Sequence, residues 1–310
     1  MVKRIFEKIL MRELIFIDTW VYSQLTNDEF FRRLSLFIIS NNLTIAVTTL
    51  SFVELFNPNW VNAKDKDRMS LAIRLISRHP TVIVDQQSII EVELANFPNR
   101  INEIPIELDL SVFSESQRET VLLQFLHGDE SFVLQVKDIT KWQKEYHNSK
   151  EGWKNDIQFI IDDAVQKGYL LKDKDGKFAN LAETKNIFLF SLDFRFTDPN
   201  LISSILQKTI DYKKMYKLEP LTSFHFSSLC FWYAYIEIDN SKKPKFSGSD
   251  IGDLYNFFLL PYCSYFTIDN SMERVIKRIK EQIQPIKTIL LTKHKLDKIL
   301  ENYDVTGALL

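Results

Sequence analysis

Glycine is scarce in this chain, 7 in 310 residues, and the strings that glycine-rich phosphate loops need are missing. Neither G-x-G-x-x-G nor G-x-x-x-x-G-K-[ST] occurs, which excludes the common nucleotide-cradling loops. Cysteine is scarcer still. Cys230 and Cys263 are the only two, and they give neither a zinc spacing nor a disulfide framework. Both sit in apolar runs, which predicts buried free thiols of the kind a reducing compartment keeps. The five histidines form no H-x-x-x-H pair, and no G-x-S-x-G string supports a serine nucleophile. The polar turn Lys172–Lys177 carries Asp173 and Asp175 but lacks the later Glu of a calcium loop.

Long apolar runs are also absent. Nowhere do about 18 apolar residues follow one another, so no membrane span is expected. The nearest stretch, Phe224–Ile238, is broken by His225, Ser227, Ser228 and Glu237 and reads as a buried helix. Met1–Leu10 is basic but has neither the unbroken apolar core nor the cleavage site of a secretory leader. The expectation is a cytoplasmic chain.

What is present is a globular composition, 45% hydrophobic and 26% charged, long enough to bury a sizeable core. The net charge of −2 means that a nucleic-acid partner must be held by a local basic surface or through metal ions. The first 95 residues alternate strand and helix. Leu14–Ile17 reads as a buried strand, and Thr26–Glu29 as a capping box opening a helix to Ile39. Asn41-Asn42 reads as a turn, Leu43–Thr48 as a strand, Thr49–Phe56 as a helix, and Asn57-Pro58-Asn59 as its stop. Lys64–Ser77 (helix), Thr81–Val84 (strand) and Gln86–Ala95 (helix) complete a pattern that predicts an α/β domain with a parallel sheet.

From residue 96 to 220 strand signals become rare. Ser114–Phe125, Ser131–Glu145, Trp153–Lys167 and Asn200–Met215 all read as helices. This block is taken as a mainly helical insertion. A connecting helix and polar linker (221–244) lead back to alternation: a short helix from Ser249, a strand at Cys263–Ile268, a basic helix at Ser271–Glu281 and a strand at Lys287–Leu291. A C-terminal helix and tail occupy 293–310. The α/β domain is therefore expected to be split, 13–95 and 245–292.

Acids recur at the ends of these elements. Asp18 follows the first strand, Glu54 lies on the helix after the second, Asp250 and Asp253 open a late helix, and Asp269 follows a late strand. Four or five carboxylates without His or Cys form an oxygen-only set suited to Mg²⁺ or Mn²⁺ rather than zinc. Such ions lower the pKa of bound water and neutralise a phosphodiester in flight. Asp250, Asp253 and Asp269 also suit helix caps, and Glu54 suits a solvent-facing helix position.

Ile15-Phe-Ile-Asp18, Thr49-Leu-Ser-Phe-Val-Glu54, Ser249-Asp-Ile-Gly-Asp253 and Leu260-Pro-Tyr-Cys-Ser-Tyr-Phe-Thr-Ile-Asp269 together resemble the PIN domain nucleases. The resemblance covers residues 13–95 and 245–292. It implies a central parallel sheet flanked by helices and an endoribonuclease acting at an acidic Mg²⁺ or Mn²⁺ site. Asp18, Glu54, Asp250 and Asp269 would be the metal residues, with Asp253 the alternative third acid. The large insertion and Ser264, where relatives often have Asp, depart from the family pattern. The implied partner is nucleic acid, RNA ahead of DNA, with Lys243, Lys245, Arg274, Lys277 and Arg278 as a basic rim. A structure-specific DNA nuclease and a non-catalytic RNA- or protein-binding scaffold are the competing expectations. An inhibitory or partner protein and a self-dimer stay open.

Overall fold

The computed structural model describes residues 13–55, 63–96, 99, 101, 104–127, 155, 158–159, 161–168, 170–175, 179, 229–230, 256–282 and 287–303. Within its helices a few side chains, that of Glu54 among them, lie outside this description. The described elements run β1 (Glu13–Phe16), α1 (Thr19–Tyr22), α2 (Asp28–Ser40), β2 (Leu43–Thr48), α3 (Thr49–Leu55), α4 (Ala63–Arg78), β3 (Thr81–Val84) and α5 (Gln86–Asn96). There follow β4 (Leu108–Asp109), α6 (Glu115–His127), β5 (Tyr265–Thr267), α7 (Asn270–Gln282), β6 (Ile289–Leu291) and α8 (Lys293–Leu300).

They form a six-stranded sheet in the order β4-β3-β2-β1-β5-β6. Only the β3–β4 pair is antiparallel. Every residue of β2 and β3 is buried, as strands covered on both faces require. Alternate residues feed two cores. Phe16, Ala46, Val82, Val84 and Phe266 point to one face, where they meet Ile89 of α5, Val275, Ile276 and Ile279 of α7, and the segment Phe257–Cys263. Ile15, Ile17, Ile45, Val47 and Ile83 point to the other, against α1, α2, α4, α6 and α8. The result is an α/β fold of three layers, helices on either side of a mostly parallel sheet.

Local chemistry accounts for several boundaries. The capping box expected at Thr26 is replaced by Asn27, whose side-chain oxygen accepts from the Glu29 and Phe30 amides at 2.9 and 3.2 Å. Both positions offer a short polar side chain, and Asn is the stronger cap. Asn42 takes a positive φ of 50°, one of the few residues that does so readily, and turns the chain from α2 into β2. Residues 161–166 are helical, and Gly168 at φ +74° ends that helix in the left-handed conformation.

β4 carries the sheet past residue 95, into the stretch read from sequence as insertion. Val82 pairs with Asp109 and Ile83 with Leu108. Leu110 and Leu122 then join the core on the α4 side. A two-residue strand has too little pattern to register as alternation. Ile161, Ala164, Leu170, Leu229 and Cys230 also pack into the core beneath β1 and β5. Both cysteines are free and buried, as expected, and burial pushes both thiols far above their ordinary value. That makes them packing residues rather than nucleophiles. Among the described residues no helix is long and apolar enough to cross a membrane.

Candidate active site

The strand order reverses direction of growth between β1 and β5: β2 and β3 lie on one side of β1, β5 and β6 on the other. In open parallel sheets the crevice outside the carboxyl ends of the strands at such a reversal is where ligands bind. Phe16 pairs with Phe266 across this seam, and their rings stack with centroids 4.3 Å apart. Asp18 lies two residues beyond Phe16, and Asp269 three beyond Phe266. The two acids found farthest apart in sequence thus leave adjacent strands at one end of the sheet.

A buried threonine fixes the seam. The Asp18 amide donates to Thr267 Oγ1 at 2.6 Å, and that hydroxyl donates to the Phe16 carbonyl at 3.2 Å. Thr267 thereby ties the end of β1 to β5 and sets the backbone from which the Asp18 side chain leaves. Thr267→Val is expected to cost about 1–2 kcal/mol, because it strips both partners of a buried bond, whereas Thr267→Ser should restore most of it. Urea unfolding of the three proteins checks this.

Asp18 Oδ1 accepts from Thr19 Oγ1 at 3.1 Å. Its charge is felt by Tyr22. Burial raises the Tyr22 phenol far above its ordinary value, and the Asp18 carboxylate raises it further. The Tyr22 hydroxyl has no hydrogen-bond partner among the described residues.

Asp269 has a structural duty. Its Oδ1 accepts from the Ser271 amide (2.6 Å), Ser271 Oγ (2.6 Å) and the Met272 amide (2.9 Å). That is the cap expected of an acid ahead of a helix. Every recorded bond falls on Oδ1, so among the described residues Oδ2 is left for a ligand. Asp269 is exposed, while Asp18 is half-buried.

The remaining acids are only partly placed. Glu54 lies on α3, directly after β2, but its side chain is outside the described residues. Asp250 and Asp253 also lie outside them, as do Lys243 and Lys245 and the Arg278 side chain. Arg274 and Lys277 are exposed on α7. Among the described residues no three His, Cys, Asp or Glu side chains converge as a metal-holding group.

Sequence reasoning missed a buried polar knot beside this seam. Asn256 Oδ1 accepts from Thr48 Oγ1 at 2.7 Å and from Ser51 Oγ at 3.2 Å, and all three residues are buried. The knot ties the β2–α3 junction to the chain entering the Leu260–Tyr262 turn, more than 200 positions away. Asp85 was missed as well. It ends β3, accepts from Thr49 Oγ1 at 3.1 Å, and caps α5 through the Ser88 amide and hydroxyl at 2.8 and 2.9 Å. With both oxygens engaged it is a cap. The signal for it was available: an acid after a strand and three residues ahead of a serine.

No protein-family model, curated protein or solved structure matches the chain.

Proposed function

We propose that this chain is a metal-dependent endoribonuclease of the PIN-like kind, hydrolysing phosphodiester bonds at the carboxyl end of its sheet. The observation that carries the reading is that Asp18 and Asp269 follow adjacent strands at one end of the sheet, beside the topological reversal. Oxygen-only donors of this kind suit Mg²⁺ or Mn²⁺, and the Oδ2 of Asp269 is the oxygen its capping bonds leave over. When bound, such an ion supplies charge neutralisation and an acidified water for phosphodiester hydrolysis.

In this reading Asp18 and Asp269 hold the ion, with Glu54 and Asp250 or Asp253 completing the set. Two features support the latter group. α3, which carries Glu54, begins at the very end of β2. Asn256, three residues after Asp253 in sequence, is anchored to Thr48 and Ser51 at the same end of the sheet. Thr267 positions Asp18 through its backbone and needs to touch no substrate.

The test is direct. Purified chain should cut labelled RNA internally with Mg²⁺ or Mn²⁺ and lose that cleavage in a chelator. Cleavage of branched or flap DNA with RNA left intact would transfer the assignment to DNA. No cleavage of either, with RNA still bound, would leave a binding scaffold.

A further inference from the structure

At the β6 edge of the sheet lies a cleft of about 780 Å³ whose lining includes Lys277, Lys280, Lys287, Lys295, Lys298 and Asn302. Among the described residues no carboxylate and no aromatic ring lines it. Four of the lysines come from the two helical layers, and Lys287 precedes β6. α7 packs on one face of the sheet and α8 on the other, with the edge strand β6 between them. Lys277 and Lys280 share one face of α7, and Lys295 and Lys298 one face of α8, by their spacing of three residues, with Asn302 in the turn that follows α8. The floor is β6 itself, where Ile289 is 49% exposed.

The edge is closed to another strand. β6 gives its Ile289 amide inward to Ser264 at 2.8 Å, so the backbone polar groups of Thr288 and Leu290 point away from β5. Their carbonyls are taken by lysines: Lys280 Nζ donates to Thr288 O at 2.8 Å and Lys295 Nζ to Leu290 O at 3.4 Å. Lysines at an edge are a known bar to strand addition. Each ammonium still has N–H groups to give.

Among the described residues the positive charge is under-neutralised. Glu273, one turn into α7, pairs with Lys277 at 3.2 Å and with Lys295. Burial pushes its carboxyl up, but the two ammonium groups outweigh this and hold it below its ordinary value. Lys287 and Lys298 have no recorded partner among the described residues. Burial, and then repulsion from Lys295, lower the pKa of Lys280.

We infer that this cleft binds the sugar-phosphate backbone of a single-stranded nucleic acid, without reading its bases, and leads the strand away from the carboxyl end of the sheet. It rests on the nuclease reading only for the identity of that strand as RNA. Geometry connects the two places. Asp269 caps α7, Glu273 and Lys295 meet about one turn below it, and Lys277 and Lys280 follow at roughly 12 and 16 Å along the helix. Rows of ammonium groups without aromatic platforms suit phosphates rather than stacked bases.

The experiment is binding without cleavage. Fluorescence anisotropy of a labelled oligouridylate and of the matching single-stranded DNA is followed in EDTA across a salt series, for wild type, Lys287→Ala/Lys298→Ala and Lys287→Glu/Lys298→Glu. These two lysines are exposed and hold no recorded bond, so unchanged thermal melting should confirm folding. The alanine pair should flatten the salt dependence by about 1.4 in logarithmic slope, two contacts at about 0.7 each, and the glutamate pair should weaken binding of both strands by about tenfold or more. Unaltered affinity and slope in both variants, or a wild type that binds neither strand, overturns the cleft. Wild type that cuts RNA while the variants bind as before leaves the nuclease standing and removes the cleft. Lysine-dependent binding with no metal-dependent cutting does the reverse.

Discussion

Asp18→Asn is expected to lower metal-dependent RNA cleavage by about two to three orders of magnitude with little change in unfolding free energy. The asparagine keeps an oxygen to accept from Thr19 Oγ1 and leaves the amide bond to Thr267 untouched. It removes the negative charge that would face the ion in the proposed site. Asp269 allows a sharper contrast, because its Oδ1 is the capping oxygen and its Oδ2 the one proposed to hold the ion. Asn is as good a helix cap as Asp, so Asp269→Asn should keep the bonds from Ser271 and Met272 while losing cleavage to a similar degree. Asp269→Ala should lose both, with a stability cost of about 1 kcal/mol from the missing cap. Cleavage rates in saturating Mn²⁺ and urea midpoints for the three variants separate the roles. If Asp269→Asn cleaves like wild type, Asp269 is a cap alone; if Asp18→Asn also does, the nuclease reading falls.

Much of the sheet was readable because its strands are pure cases. Leu43–Thr48 and Thr81–Val84 are buried on both faces, which demands unbroken β-branched and apolar runs, and their limits match the reading from sequence. The order of β1 and β5 was not readable. That two strands some 250 residues apart lie side by side depends on Phe16 meeting Phe266 and on Thr267 reaching Asp18, and no local pattern encodes either. β4 escaped for the opposite reason, being too short to show a period.

The candidate site divides in the same way. Asp18 and Asp269 stood out because each ends an apolar run at a helix start, and the fold gives both the same end of the sheet. Their supports did not stand out. Thr48, Ser51 and Asn256 are ordinary polar residues in sequence, and only burial turns them into a mutually satisfied knot, since buried polar groups must find partners. The lysines of α7 and α8 are visible as two helical rows, yet a charged row is usually a solvated face. Only the position of β6 between them makes a cleft.

The largest stability effect expected lies away from the acids, at His79. This histidine is 3% exposed and its Nε2 lies 3.0 Å from Ser35 Oγ. Burial lowers its pKa to about 4 from the ordinary 6.5, with the Arg118 and Arg78 charges acting in the same direction. The folded chain therefore keeps the ring neutral between those values, whereas the unfolded chain takes up a proton. The unfolded state binds more protons in that window, so stability falls as pH drops from 6.5 toward 4 and levels off below it. The gap corresponds to about 3 kcal/mol, and above pH 6.5 the effect vanishes. His79→Gln removes the titration but keeps an amide that can bond Ser35. At pH 7 it should be less stable than wild type by about 1 kcal/mol, and by pH 4.5 the order should reverse. Urea unfolding from pH 7.5 to 4 checks this against the common background of carboxylate protonation. Parallel curves for the two proteins would mean that His79 accepts its proton inside the folded chain as readily as outside it.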